Sequence, residues 1–168
     1  MIIVIVLLAI GFVFFSFSFV LLFGAPFLPT LKQQVNEALN LLDLQPEQTM
    51  LELGCGDGRV MVAAAQRGLN VIGYELNPIL AFVAWVRTRR YRNHTIVIWG
   101  DFWRASWPSA DGIFGFILPR YMTKLHNKII QYPYRPIRVA SFAFTIPGEK
   151  PTRISKGIFL YEYHIQPT

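Results

Sequence analysis

Met50-Leu51-Glu52-Leu53-Gly54-Cys55-Gly56-Asp57-Gly58-Arg59-Val60 decides the fold, because it reads as an apolar strand, a glycine turn and the start of a helix. Gly54, Gly56 and Gly58 carry no Cβ, so the turn can adopt positive φ and let backbone approach a bound molecule. The spacing departs from a dinucleotide fingerprint, in which the third glycine lies one residue later and packs the helix on the strand. Glu52 sharpens the contrast. A carboxylate two residues before the turn is unfavourable beside a pyrophosphate and suits a nucleoside ligand that carries positive charge.

The flanking segments repeat the strand, turn and helix. Residues 59–67 (RVMVAAAQR) read as a short apolar helix stopped by Gly68, and Asn70 to Tyr74 (NVIGY) as a buried strand ending at Glu75. Asn77 caps a second helix whose first residue is Pro78, and Thr95 to Trp99 (TIVIW) is a third strand running into Gly100-Asp101-Phe102. Carboxylates therefore stand at the ends of three successive βα units. Glu75, followed by Leu76 and Asn77, suits the hydroxyls of a ribose, and Asp101 suits an adenine amino group with Phe102 against the ring. Glu52 is left for the rest of the ligand, and S-adenosylmethionine (SAM) carries both an ammonium and a sulfonium there. With Gly54, Cys55, Gly56, Asp57 and Gly58 these residues make the expected SAM site.

Further along, Gly112 to Leu118 (GIFGFIL) reads as a fourth strand ending at Pro119-Arg120-Tyr121. A helix from Met122 to about Ile130 follows, then a fifth strand from Val139 to Thr145. Arg153 to Ser155 and Gly157 to Ile165 read as two strands with no room for a helix between them, hence a closing hairpin. The alternation predicts an α/β, doubly wound, mostly parallel sheet with helices on both faces. Its ligand crevice should lie at the carboxyl ends of the first strands.

The N-terminus has a different character. No charged side chain occurs from Met1 to Phe23 and the first is Lys32; such a run makes ~35 Å of helix, enough to cross a bilayer. It lacks the basic n-region and the A-x-A site of a cleaved signal peptide. The expected organisation is one transmembrane anchor over 1–24, a proline-punctuated linker and amphipathic helix over 25–44, and the α/β domain over 45–168. In that helix Thr30 is the expected cap, and Leu31, Val35, Ala38, Leu39 and Leu42 share one face. The sixteen basic and ten acidic residues all follow the anchor, a net charge of +6 that places the domain in the cytoplasm, against the lipid bilayer.

The single cysteine, Cys55, excludes a disulfide framework and fills a place in the turn that needs a small side chain. His94, His126 and His164 are scattered without partner motifs, and no C-x-x-C or histidine cluster points to a metal. Arg87, Arg89, Arg90 and Arg92 are read either as a solvated helix end or as a contact for anionic headgroups. Phe102, Trp103 and Trp107 suit the core, the cofactor pocket or the membrane interface.

The glycine block resembles motif I of the class I SAM-dependent methyltransferases, in which the acidic residue and the loop surround the methionine portion of the cofactor. Over most of its length the chain resembles a narrower group, the membrane-anchored lysine methyltransferases that modify the ATP synthase c subunit and the adenine nucleotide translocase, with their prokaryotic relatives. The likeness rests on the N-terminal apolar segment, Pro26-Phe27-Leu28-Pro29-Thr30, the glycine block, Gly73-Tyr74-Glu75-Leu76-Asn77-Pro78 and Gly100-Asp101-Phe102-Trp103. It implies a Rossmann-like sheet of seven strands with the last antiparallel, SAM as cofactor, and transfer to a lysine of a membrane-embedded protein. In a eukaryote it implies the mitochondrial inner membrane. Thr30 and Tyr121 are the candidates for lining the lysine entrance, and no general base is identified. Amino-methyltransferases of nucleic acids usually carry (N/D/S)-P-P-(Y/F) after the fourth strand. Leu118-Pro119-Arg120-Tyr121 stands there instead, so no nucleic-acid partner is expected. Two rival readings are a methyltransferase for a lipid or small hydrophobic amine, and a non-catalytic SAM-binding membrane subunit.

Overall fold

The computed structural model describes residues 1–8, 10–11 and 28–164. Seven strands form one sheet: β1 (Thr49–Leu53), β2 (Asn70–Glu75), β3 (Thr95–Trp99), β4 (Gly112–Gly115), β5 (Ile137–Phe142), β6 (Arg153–Ser155) and β7 (Ile158–Tyr163). Their order is β3-β2-β1-β4-β5-β7-β6. The first five pair in parallel, β7 runs antiparallel to β5, and β6 antiparallel to β7, as the alternation and the closing hairpin predict. The order reverses between β1 and β4. Their connections depart to opposite sides there, which opens a crevice at the carboxyl ends of the strands.

Four helices cover the sheet: α1 (Lys32–Leu42), α2 (Arg59–Ala65), α3 (Pro78–Thr88) and α4 (Met122–Ile130). One core joins Val35, Leu39, Met61, Ala84 and Phe114. The other joins Leu51, Ile113, Met122, Leu125 and Ile129. β1 is buried from Met50 to Leu53, as a parallel strand between two helical layers must be. α1 belongs to this packing: its last carbonyls are satisfied from the sheet, Arg138 Nη1 donating to Leu42 O at 2.9 Å and Arg153 Nη2 to Leu41 O at 3.1 Å.

Several local expectations are corrected. Thr30 does not cap α1: the N-cap is Leu31, which makes no side-chain cap bond and is 65% exposed rather than on the buried face. β4 stops at Gly115, short of Leu118, because its neighbour β1 ends at Leu53, the partner of Gly115, where the glycine turn begins. β5 ends at Phe142 because Ala143 takes a left-handed φ of 67°, which breaks the extended chain. The hairpin turns on Lys156 and Gly157, both at positive φ, so β7 starts at Ile158. The expected anchor, residues 1–24, lies mostly outside the described residues. Residues 2–8 and 10–11 are helical, and among the described residues no helix is long and apolar enough to cross a membrane.

Candidate active site

β1 delivers Glu52 to the crevice and the chain then turns. Gly54 takes φ +81°, and a Cβ added there meets no atom within 4 Å, so a side chain would stand in the open cavity that Gly54 lines. The N–H groups of Gly54 and Cys55 both donate to Tyr74 O, at 2.9 and 2.8 Å, which ties the turn to β2. Glu75 completes the tie: its Oε2 accepts from Gly56 N–H at 2.9 Å and its Oε1 from Asn77 N–H at 2.8 Å. The carboxylate is thus fixed by one backbone amide from each loop, while each oxygen keeps a further lone pair. Burial raises the Glu75 pKa even so, against the lowering effect of these amides.

Glu52 is 3% exposed, and its Oε2 has no hydrogen-bond partner. Burial, reinforced by the charges of Asp57 and Glu75, pushes its carboxyl well above the ordinary carboxylate range. An orphaned acceptor at a cavity wall is a place for a cationic donor. Asp57 is different. Arg59 Nη2 lies 2.8 Å from its Oδ2, and Arg87 reaches the same oxygen from α3. Burial disfavours the Asp57 charge, but the two guanidinium groups outweigh it and hold the pKa below its usual value. Its charge is taken up inside the protein, which orients the loop.

Two of the expected cofactor contacts stand behind the wall rather than on it. A Cβ on Gly58 would lie 3.0 Å from Ala84 Cα, so this glycine lets α2 start against α3. Asn77 is fully buried; its Oδ1 accepts from Ile79 and Leu80 N–H and caps α3, while its own N–H holds Glu75. Cys55 lines the cavity, and its thiol pKa is raised well above the usual value, by burial first and then by Glu52 and Glu75. It stays a small neutral side chain. The structure adds a residue that strand periodicity did not reveal: a Cβ on Gly73 would fall 2.5 Å from Met61 Sδ and 2.8 Å from Cys55 Cβ. The turn can sit on β2 only because position 73 is bare.

Beyond β3, Asp101 Oδ1 accepts from Trp103 N–H at 2.8 Å, an Asx turn that holds Phe102 and Trp103 in the wall with ring centroids 4.5 Å apart. Trp107 separates from them. It is buried in the core, its indole N–H donating to Phe102 O at 2.9 Å. Leu76 also lines the cavity. Leu28, Pro29 and Thr30 with Phe116, Leu118 and Tyr121 also line the cavity, and Tyr121 lies 5.9 Å from Trp103 between centroids. Thr30 is 7% exposed, and Arg59 Nη1 donates to its carbonyl at 3.3 Å. None of the three histidines lines this cavity; His126 lies against Tyr163 and Glu149, and His94 against Asn70. With Asp57 neutralised by its arginines, the carboxylates of Glu52, Glu75 and Asp101 and the aromatic and apolar lining suit a cationic nucleoside with an alkyl amine beside it.

The family described as "ANTKMT methyltransferase domain" matches residues 52–153. The lysine N-methyltransferase of Xenopus laevis that acts on the ATP synthase C-subunit is 30% identical over 77% of this chain and 58% of that protein. The adenine nucleotide translocase lysine N-methyltransferase of Mus musculus is 30% identical over 83% of this chain and 63% of that protein. The chain thus spans less than two thirds of the length of these two relatives. A crystal structure of an RNA methyltransferase from Salinibacter ruber in complex with S-adenosyl-L-homocysteine shares the fold, with a TM-score of 0.77 at 24% identity, over 84% of this chain and 97% of that one.

Proposed function

Because the chain belongs to the ANTKMT methyltransferase-domain family, we propose that it transfers the methyl group of SAM to a lysine side chain of a membrane protein. The observation that carries the reading is the pairing of an orphaned buried oxygen on Glu52 with a glycine turn whose missing side chain leaves the cavity open. The residues present fit the cofactor. Glu52 would take the ammonium, Gly54 to Gly56 the methionine portion, Glu75 the ribose hydroxyls, and Asp101 with Phe102 the adenine. When bound, SAM supplies a methyl group already activated by its sulfonium.

The chain's own residues then have three tasks. Thr30, Trp103 and Tyr121 surround the approach of the amine, and aromatic faces favour a cation on its way in. The apolar surroundings of Phe116 and Leu118 remove water from that amine, which lowers its pKa and favours the neutral, nucleophilic form. Holding the amine in line with the methyl group supplies most of the acceleration, since no side chain is assigned as a general base.

The membrane part of the proposal rests on the charge-free run from Met1 to Phe23 and the basic domain that follows it. An anchor over 1–24 would hold the domain over 45–168 on the cytoplasmic side, or at the inner membrane in a mitochondrion. Membranes containing the full chain, incubated with tritiated SAM, test both parts. Label in a protein band at a lysine, with the chain resisting carbonate extraction, supports the proposal. Label in the organic extract points to a lipid amine, and binding without transfer to a non-catalytic role; either outcome rejects it.

A further inference from the structure

α3 leaves one face uncovered. Leu80, Ala81, Ala84 and Thr88 pack inward, whereas Phe82, Trp85, Val86 and Arg89 follow at i, i+3, i+4 and i+7 along the outside. Phe82 is 63% exposed and Trp85 59%, with their rings stacked at 6.0 Å between centroids. The apolar surface is therefore contiguous rather than scattered. Trp99, also exposed, adds a ring at the other end of the helix, where its indole N–H donates to Leu76 O at 3.1 Å in the turn entering α3.

The charge beside this face has one sign. Residues 78–100 contain four arginines and no aspartate or glutamate. Arg87 is held by Asp57, while Arg89, Arg90 and Arg92 are exposed and have no ion-pair partner among the described residues. Aromatic rings with adjoining free arginines match the two layers of a bilayer interface, where rings sit at headgroup level and guanidinium groups reach phosphates. The chain's path supports the same occupant. No charged side chain occurs before Lys32, and this uncharged stretch joins the domain at Thr30, whose carbonyl is held by Arg59; Asp57 links Arg59 in turn to Arg87 of α3.

We infer that the outer face of α3 docks on an anionic bilayer surface, with Phe82, Trp85 and Val86 in the interfacial zone and Arg89, Arg90 and Arg92 on lipid phosphates. This goes beyond the proposed reaction and does not depend on which amine is methylated. Leu76, just before the same helix, and Leu80, in its first turn, line the cavity, so the docked helix also contributes to the cavity lining.

The test uses the full chain carrying Val86→Cys labelled with nitrobenzoxadiazole; the native Cys55 is buried. A second labelled chain carries Ile154→Cys, 62% exposed on β6 at the opposite edge of the sheet. Chains that bind SAM with parental affinity are folded and are mixed with phosphatidylcholine vesicles, with or without about one third phosphatidylglycerol. Acyl-chain nitroxide should quench the probe at 86 several-fold more than that at 154, and more strongly in anionic vesicles. Adding Arg89→Ser, Arg90→Ser and Arg92→Ser should reduce that quenching, at about fivefold in partitioning per arginine, without changing SAM affinity. Equal quenching at the two positions, or quenching at 86 indifferent to anionic lipid, overturns the inference. Shielding of position 86 from aqueous iodide in the absence of vesicles also overturns it, since a second copy or residues 1–27 would then cover the helix. A chain that methylates no lysine but passes this test still docks.

Discussion

Replacing Glu52 with glutamine should make the protein more stable and a poorer binder of its cofactor. The carboxylate is 3% exposed with Oε2 unpartnered, and burial raises its pKa well above the ordinary value of 4.5. Below that value both folded and unfolded chains hold the proton and burial costs nothing. As pH rises past it the unfolded chain ionises first, so stability falls until the raised folded-state pKa is passed. An amide of the same shape escapes this and can donate toward Asp57 or Glu75. An unsatisfied buried polar group costs about 1–3 kcal/mol, so Glu52→Gln should raise the melting temperature at neutral pH by roughly 2–12 °C, a gain that vanishes near pH 4.5. Affinity should move the other way. Loss of a charge-assisted bond to the ammonium is worth about 1.5–3 kcal/mol, roughly 10–150-fold in Kd. Calorimetry in two buffers of different ionisation heat should show proton release on SAM binding by the parent and little by the variant. A variant less stable than the parent at neutral pH, or with unchanged affinity and proton release, would refute this account of Glu52.

Glu75→Ala frees the amides of Gly56 and Asn77 and should weaken SAM binding by about 10–100-fold in a calorimetric titration, with a lower melting temperature as both loops loosen. Gly73→Ala drives a methyl group into Met61 Sδ and Cys55 Cβ and should cost about 1–3 kcal/mol in denaturant unfolding. Unchanged stability there would mean that the turn does not rest on β2 as described. Tyr121→Ala should lower kcat/KM for the amine by roughly tenfold while SAM affinity stays within about twofold, because Tyr121 lines the cavity beside Trp103 and outside the glycine turn. A matching loss of SAM affinity would assign Tyr121 to the cofactor instead.

The stations at Glu52, Glu75 and Asp101 were legible in the chain because each is a local event, an apolar strand followed at once by a turn. β2, β3, α3 and α4 start where short-range signals place them, down to the Asn77 cap and the Pro78 that follows it. What escaped was set by distant partners. The end of β4 is fixed by Leu53 of β1, and the bare position 73 by Met61 and Cys55. Asp57 carries no local sign that Arg87, a full βα unit later, will meet it. Thr30 has the composition of a helix cap, yet its carbonyl is held by Arg59 and the residue lines the cavity. Periodicity reports which face of an element is apolar. It does not report which residue of another element will arrive there.

The cavity draws its lining from two separate stretches of chain. The carboxylates and the glycine turn lie within residues 52–153, whereas Leu28, Pro29 and Thr30 precede that span and are fastened to it through Arg59. If the amine enters past Leu28, Pro29 and Thr30 as proposed, a descendant that rewrites this tripeptide would change the shape the amine meets and leave the glycine turn and its carboxylates in place. Grafting it between distant members would then test whether it carries acceptor choice.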